Sequence, residues 1–174
     1  MTDQRLAVFL IGHPVDDDYE PWLHKRLAFA KVTDVAGGTG TWSGLPCRVT
    51  HRNDDESGPL FVAVDAAAFD IAMTLAPTER ELPPPLSTFV DACEDVRPTL
   101  ALLSAGPIAE DSWDDFATDA AALADNAEFG GILELPCTAV YLNGFGVIML
   151  DEPPAVTTVE VAHGGAVYLT GWRG

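Results

Sequence analysis

The sequence predicts an α/β or α+β domain in which helices pack on a mixed β-sheet. Short apolar runs such as "LAVFLI" (6–11) and "TLALLSA" (99–105) indicate buried strands, and longer segments between them have the apolar period of helices. Hydrophobic residues make up 48% and charged residues 21% of the 174 residues, which is enough apolar material for a real core. The length predicts a single domain that covers residues 1–174.

The N-terminal half is predicted to contain a strand, a helix and three further strands. The first strand covers residues 5–11, and the helix after it runs to about Lys31 with Leu23 and Leu27 on its apolar face. A glycine-rich loop covers residues 36–44. Apolar runs bounded by turn residues then predict strands near 46–52, 60–65 and 69–76.

The C-terminal half is predicted to alternate helices with strands after a proline-rich connector at 76–85. Its helices are predicted at 86–96 and 112–127. Its strands are predicted at 99–105, 138–142, 146–150, 156–162 and 166–170. The "NGFG" sequence at 143–146 is typical of a hairpin turn between two strands.

The tripeptide Leu-Pro-Cys occurs twice, at 45–47 and at 135–137. In both places it follows a Gly-Gly pair and precedes a predicted strand, and both halves begin with an apolar strand, a glycine and a proline. This order predicts an internal repeat of residues 5–76 and 99–170, each half a β-α-β-β unit, joined by the connector and helix of 77–98. The alternative is that common loop residues recur by coincidence.

The charge of the chain is its strongest compositional feature. The formal net charge is −18, and no Lys or Arg occurs between Pro98 and Trp172. Such a surface repels phosphate backbones, which argues against nucleic acid and anionic membranes as partners. It attracts a basic protein and accelerates the encounter with it. The alternative is that the charge serves solubility, or adaptation to a salty or acid-rich environment.

The cysteines and the N-terminal segment predict a cytoplasmic protein. Cys47, Cys93 and Cys137 are an odd number for a secreted disulfide framework, so reduced thiols are expected. The apolar run at 6–12 is short, is preceded by Asp3 and followed by three aspartates, and has no small-residue cleavage site, so we expect a strand rather than a signal peptide. No apolar run approaches the length of a membrane span.

The predicted helix at 112–127 and the residue before it carry the candidate partner-binding site. Its members are carboxylates: Asp111, Asp114, Asp115, Asp119 and Asp125. Three of them recur at i, i+4 spacing, where like charges cost roughly 0.2–0.5 kcal/mol per pair. We interpret this face as a surface for a basic partner, with Trp113 and Phe116 beneath it as a hydrophobic footing. The alternative is an ordinary solvated helix face.

The sequence predicts no catalytic residue, metal site or cofactor. Ser104 lacks the Gly-x-Ser-x-Gly elbow, and the loop at 37–44 lacks the Gly-Lys-Ser/Thr of a phosphate loop. His13 lies beside three aspartates at 16–18, a residue set that can hold a divalent metal. No HExxH or paired CxxC motif accompanies it. We therefore predict that the chain is not an enzyme.

Three stretches between about Phe69 and Leu150 resemble a bacterial domain family of unknown function. "DIAMTLAPTERELPPP" resembles its strand and proline-containing connector, "VRPTLALLSAGP" its next strand, and "CTAVYLNGFGVIML" its aliphatic-aromatic hairpin. The chain departs from the family at "RPTLALL", where the family tends to place histidines. The resemblance covers about half of the chain. It implies one continuous domain and an accessory or immunity-type protein of bacterial conflict systems.

These observations together predict a small acidic cytoplasmic binding protein. Its most concrete form is an immunity-type inhibitor that neutralises a basic toxin or effector by occluding it. One alternative is a small-ligand-binding protein or enzyme with its site between the two halves. Another is a structural subunit of a larger assembly. The oligomeric state stays open.

Overall fold

The fold is a nine-stranded sheet covered by helices. It is seen in a computed structural model that describes residues 3–10, 19–51, 59–75 and 81–172. In the second of these ranges, the side chains are described from Leu23 onward. The described strands are β1 (Gln4–Leu10), β2 (Val32–Ala36), β3 (Thr39–Trp42), β4 (Leu45–His51), β5 (Pro59–Asp65), β6 (Leu100–Ser104), β7 (Cys137–Leu142), β8 (Thr158–Glu160) and β9 (Ala166–Tyr168). The described helices are α1 (Tyr19–Phe29), α2 (Ala66–Ala72), α3 (Pro84–Val96), α4 (Trp113–Asp125), α5 (Phe129–Ile132) and α6 (Gly144–Met149). Two 3-10 turns cover Glu110–Ser112 and Ala162–Gly164.

The described strands form one sheet in the order β2-β3-β4-β5-β1-β6-β7-β9-β8. β1 lies at the centre, where it pairs with β5 on one side and with β6 on the other. All pairings among the described strands are antiparallel. The predicted packing of helices on a sheet is therefore confirmed, and of the two predicted classes the structure has α+β, with an antiparallel rather than a mixed sheet among the described strands.

Helices cover both faces of the central strands. Along β1, Ala7 and Phe9 belong to one buried cluster, whereas Leu6 and Val8 belong to the other. This division follows from the alternation of side chains along a strand. α1, α2 and α3 pack into the first cluster, and α4 and α5 pack into the second. Because neither face is solvated here, the central strands are continuous apolar runs rather than alternating ones.

The predicted strand at 69–76 is wrong, because its first residues belong to helix α2. The carboxylate of Asp65 caps this helix and accepts a hydrogen bond from the backbone N–H of Ala68 at 2.9 Å. Such a cap satisfies one of the amide groups that the first helical turn leaves without a partner. Phe69 then packs into the core from a helix instead of a strand.

The predicted hairpin turn at 143–146 and the predicted strand at 146–150 are also wrong, because this stretch forms α6. The side-chain oxygen of Asn143 accepts a hydrogen bond from the N–H of Gly146 at 2.9 Å. Asn143 thus begins a helix where the Asn-Gly pair suggested a turn, since asparagine serves both purposes.

The loop predicted at 36–44 is largely a hairpin of β2 and β3, and β2 was not predicted. The helix α5 was not predicted either, because a four-residue helix has too few residues for a periodic pattern. The predicted helices at 86–96 and 112–127 and the strands at 99–105 and 138–142 are confirmed with small shifts at their ends. The loop predicted between the strands at 46–52 and 60–65 lies almost entirely outside the described residues.

The segments 5–76 and 99–170 differ in their order of elements. The first has one described helix before the run β2–β5, whereas the second has α4 and α5 between β6 and β7. Cys47 lies in β4 beside β3 and β5, and Cys137 opens β7 beside β6. The internal repeat and the single domain stay predictions.

Among the described residues, no helix combines the length and the apolar composition that crossing a bilayer requires.

Candidate functional site

The five predicted partner-binding carboxylates are all exposed on one stretch of the chain. Asp111 lies in the 3-10 turn before α4, and the other four lie in α4 itself: Asp114, Asp115, Asp119 and Asp125. The opposite side of α4 buries Ala117 and Ala120 against the sheet. The structure therefore places these carboxylates on a solvent-facing surface, and their role in binding stays a prediction.

The hydrophobic footing predicted beneath this helix is wrong. Trp113 is fully buried, stacks at 5.8 Å between ring centroids on Phe61, and donates its indole N–H to the carbonyl of Ile108 at 3.0 Å. Phe116 is half-buried and packs against the same cluster. Trp113 is therefore in the core and Phe116 is only partly exposed, so the two aromatic side chains do not form the apolar anchor that was predicted beneath the α4 carboxylates.

Exposed apolar side chains occur instead on α6, and we call Phe145, Ile148 and Met149 the α6 apolar group. Their exposed fractions are 62%, 81% and 42%. Gly146 on the other side of α6 is buried, and a Cβ there would lie 3.2 Å from Phe129 and Leu142. This close approach holds α6 against the sheet by its glycine side. The large apolar side chains are consequently left on the solvent side.

A hollow of about 770 Å³ lies beside this group, between α5 and the chain after α6, and we call it the α5–α6 hollow. Its apolar lining consists of partly or fully buried side chains: Leu123, Phe129, Leu133, Leu150 and Val156. Met149 of the α6 apolar group also lines it. The ring of Phe145 meets that of Phe129 edge-on at 5.9 Å between centroids. The α6 apolar group and the floor of the hollow are therefore continuous.

Four exposed carboxylates complete the lining of the α5–α6 hollow. Glu128 and Glu134 flank α5, and Asp151 and Glu152 follow α6. Residues 98–172 contain no Lys or Arg that could neutralise them. The hollow thus combines an apolar floor with a negative border that comes from two separate segments.

A second hollow of about 590 Å³ is lined by residues of α6, the segment after it, β8 and β9. Leu150 lines both hollows, and Tyr168 and Glu160 contribute to the second. A further small hollow of about 150 Å³ between α1 and β4 contains His24 and His51 among apolar side chains.

His13 and the three aspartates at 16–18, which the sequence analysis considered as metal ligands, lie outside the described residues. In the part of the chain that is described, no group of three or more His, Cys, Asp or Glu side chains is arranged to hold a metal ion.

The junction between the two halves is occupied by core. β1 and β6 pair directly there, and the residues of β6 are all buried. The alternative prediction of a site between the halves stays a prediction. Two of the described hollows are lined by the segment that follows α6, and the third lies between α1 and β4.

The buried side chain of Arg5 is the main polar group of the core. Its Nε donates to the carbonyl of Ser104 at 3.0 Å, its Nη2 to the hydroxyl of Thr138 at 2.8 Å, and its Nη1 to Asp70 at 2.9 Å. The guanidinium also stacks on the ring of Phe69 at 4.3 Å. These contacts tie β1 to β6, β7 and α2, which is a structural role.

The three cysteines are free, buried and held in the thiol form. Burial raises the pKa of Cys47 to about 11 and that of Cys137 to about 12, and it raises the pKa of Cys93 well above the usual value. Because the thiolate is the nucleophile, these residues are unsuited to catalysis at neutral pH.

Comparison with family models, with curated proteins and with solved structures finds no match to this chain. The resemblance between 69 and 150 stays a prediction. Two of the stretches that carry it contain the end of α2 and the whole of α6, which are helices rather than the predicted strands.

The sequence did not reveal the α6 apolar group as a surface feature. "GFGVIML" reads as a buried strand, and only its packing decides which side chains remain outside. The one available signal was the pair of glycines at 144 and 146, which interrupts a strand pattern and is typical of close backbone approach.

Proposed function

We propose that the protein is a binding protein that captures a basic protein partner through the α6 apolar group and the α5–α6 hollow. The observation that carries the proposal is the exposure of Phe145, Ile148 and Met149 beside a hollow bordered by carboxylates, in a stretch of 75 residues without Lys or Arg. Exposed apolar side chains provide the anchor of an interface. The surrounding carboxylates favour a cationic partner and disfavour others.

The charge of this surface favours a different protein over a second copy of the same chain. In a symmetric dimer through α6, the same patch of both subunits would meet. Glu128, Glu134, Asp151 and Glu152 would then lie near their own copies, and like charges brought together across an interface cost free energy. A basic partner replaces this repulsion with attraction.

The carboxylates of α4 contribute to steering in this proposal. They are exposed and lie outside the hollow, so they act on a partner through the field of the protein rather than by desolvated contact. Exposed charges act over about 8 Å at physiological salt, which is the Debye length there.

The proposed class is the one expected from the sequence, an immunity-type inhibitor that occludes a basic toxin or effector. Occlusion needs surface complementarity and no catalytic residue. The three free cysteines fit a reducing compartment, which supports action in the cytoplasm.

Capture from host lysate with matched variants tests this proposal. We expect the wild-type protein to retain one basic protein at both low and moderate salt. Replacing Ile148 by Glu should reduce the captured amount at least about tenfold, because an anchor becomes a repelled, solvated carboxylate. Quantitative mass spectrometry of the retained protein gives the readout.

Ile71→Glu is the matched control, since it makes the same change in charge at another exposed isoleucine. Ile71 is 65% exposed on α2, which follows the end of β5 that pairs with Gln4. α6 follows the end of β7 that pairs with Leu100, at the opposite end of the sheet. If both variants lose the partner equally, or if only a broad basic set binds and washes off at moderate salt, the proposal is wrong.

A further inference from the structure

We propose, on the basis of the function proposed above, that the α5–α6 hollow receives an amphipathic basic helix of the partner. The apolar face of that helix lies on the floor of the hollow and against the α6 apolar group. Its Lys and Arg side chains, on both flanks of the apolar face, pair with the carboxylates at the border.

The hollow is large enough to hold several side chains of one helix of the partner. Its volume of about 770 Å³ lies in the range of sites that enclose a whole small molecule. One inserted side chain would leave most of that space to water. A helix presents neighbouring apolar side chains at i, i+3, i+4 and i+7, and these together fill a groove of this kind.

The elements around the hollow favour a helix over an extended peptide. An extended peptide binds by adding a strand to an open sheet edge. None of the residues that line the hollow lies in a strand, and most come from α5 with its flanking turns and from the irregular chain after α6. The nearby strand β9 already pairs with β7 on one side and β8 on the other, and the edge strand β8 lines the second hollow but not this one. Recognition here must therefore use side chains, which is how a helix binds in a groove.

Because carboxylates lie on two sides of the hollow, the partner helix needs positive charge on both flanks of its apolar face. Glu128 and Glu134 lie on the α5 side of the floor, and Asp151 and Glu152 lie on the segment after α6. Lys and Arg side chains cover apolar surface with their aliphatic stems while their charged ends reach such a border. A helix with cations on one flank only would leave one carboxylate pair without a partner.

Direct titration with designed peptides tests this inference. The probes are helical Leu/Lys/Arg peptides of about 18 residues with an apolar face between two cationic flanks. A scrambled peptide of the same composition, which cannot form an apolar face, is the control for charge alone. We expect the amphipathic peptide to bind at least about tenfold more tightly than the scrambled one at physiological salt, and to gain helix on binding as measured by circular dichroism.

A substitution that fills the hollow locates the binding site. Gly130 in α5 lines the hollow, and a Cβ added there meets no atom within 4 Å. Gly130→Trp should therefore lower the affinity for the amphipathic peptide at least about tenfold without unfolding the protein. Gly106→Trp is the matched control, because Gly106 is equally free of neighbours and lies outside the hollow.

The peptide titration and the capture experiment together distinguish the helix site from the proposed function. Tight binding that Gly130→Trp removes and Gly106→Trp preserves supports the helix site. Equal binding of the scrambled peptide, or equal losses in both glycine variants, overturns it. If no peptide binds but Ile148→Glu still abolishes capture of the host protein, the helix inference fails and the proposed function stands. If both experiments fail, both proposals are wrong.

Discussion

Arg5 shows how a single charged residue is accommodated within a buried strand. It lies in the central strand β1, where its neighbours along the chain are apolar. Burial lowers the pKa of its guanidinium, and the carboxylate of Asp70 opposes that shift. Hydrogen bonds to the Ser104 carbonyl and the Thr138 hydroxyl compensate the charge inside the protein. Because Asp70 is 66% exposed, its ion pair is the weaker part of this arrangement.

We expect Arg5→Met to lower the free energy of unfolding by about 3 kcal/mol, since it leaves the Ser104 carbonyl and the Thr138 hydroxyl without this donor. Asp70→Asn should cost less than about 1 kcal/mol, because the lost ion pair is largely solvated. Urea denaturation followed by circular dichroism measures both values. If Asp70→Asn were as destabilising as Arg5→Met, the ion pair and not the buried hydrogen bonds would hold Arg5 in place.

At the residue scale the sequence predicted the exposure of charged side chains but not that of apolar ones. It identified the carboxylates Asp111 to Asp125 as solvent-facing, because carboxylates are almost never fully buried unless they are paired. It assigned Trp113 to a footing for a partner, whereas the side chain is in the core. It gave no reason to place Ile148 outside. Apolar side chains can be buried or exposed, and only packing against other elements decides which.

At the element scale, side-chain caps explain why two segments that were predicted as strands form the helices α2 and α6. Asp65 and Asn143 each begin a helix by accepting a backbone N–H in the first turn. Both residues are also common in turns, so the local sequence fits either structure. The long, strongly periodic helices α3 and α4 were predicted because their apolar faces repeat over 13 residues each. Helices α2 and α6 have seven and six residues, which is too short for a clear period.

The close packing of α6 against its neighbours requires Gly144 as well as Gly146. A Cβ at Gly144 would lie 3.0 Å from the backbone carbonyl oxygen of His163, which cannot move as a flexible side chain would. We expect Gly144→Ala to lower the free energy of unfolding by about 1–3 kcal/mol through this overpacking.

Gly130→Ala is the control for that prediction, because it makes the same substitution in the helix α5 where the added Cβ meets open space. It should leave stability unchanged or raise it by up to about 1 kcal/mol, since alanine is the better helix former. Urea denaturation of both variants gives the comparison. Equal effects of the two substitutions would show that the contact between α6 and the 3-10 turn at His163 is unimportant.

At the scale of the whole molecule, the charge divides into two regions with different expected roles. The carboxylates of α4 and those at the border of the α5–α6 hollow are all exposed, but only the border surrounds an apolar floor. The electrostatic field of either region accelerates the encounter with a basic partner in a salt-dependent way, whereas tight binding requires contact with the partner at the hollow.

Two matched fourfold variants separate these roles. One changes Glu128 and Glu134 to Gln, Asp151 to Asn and Glu152 to Gln. The other changes Asp111, Asp114, Asp115 and Asp119 to Asn, so each variant removes four negative charges. At physiological salt, we expect the first to weaken binding of the amphipathic peptide at least about tenfold and the second by less than about threefold.

Association and dissociation rates measured at two salt concentrations check this prediction. The α4 variant should mainly slow association at low salt, because long-range steering affects the association rate. If the α4 variant weakens binding as much as the border variant, the carboxylates predicted from the sequence are themselves the docking site.

The sequence by itself determined that helices pack on a sheet, the apolar runs of the central strands, the two long helices and the cation-free stretch from 98 to 172. These are properties of composition and of local period, which a linear chain carries without tertiary contacts. The tertiary structure decided the position of β1 between β5 and β6, the covering of both sheet faces, and which of many apolar side chains stay outside. Strand order and exposure depend on contacts between residues far apart in the chain, so the α6 apolar group and the hollow beside it emerge only after folding.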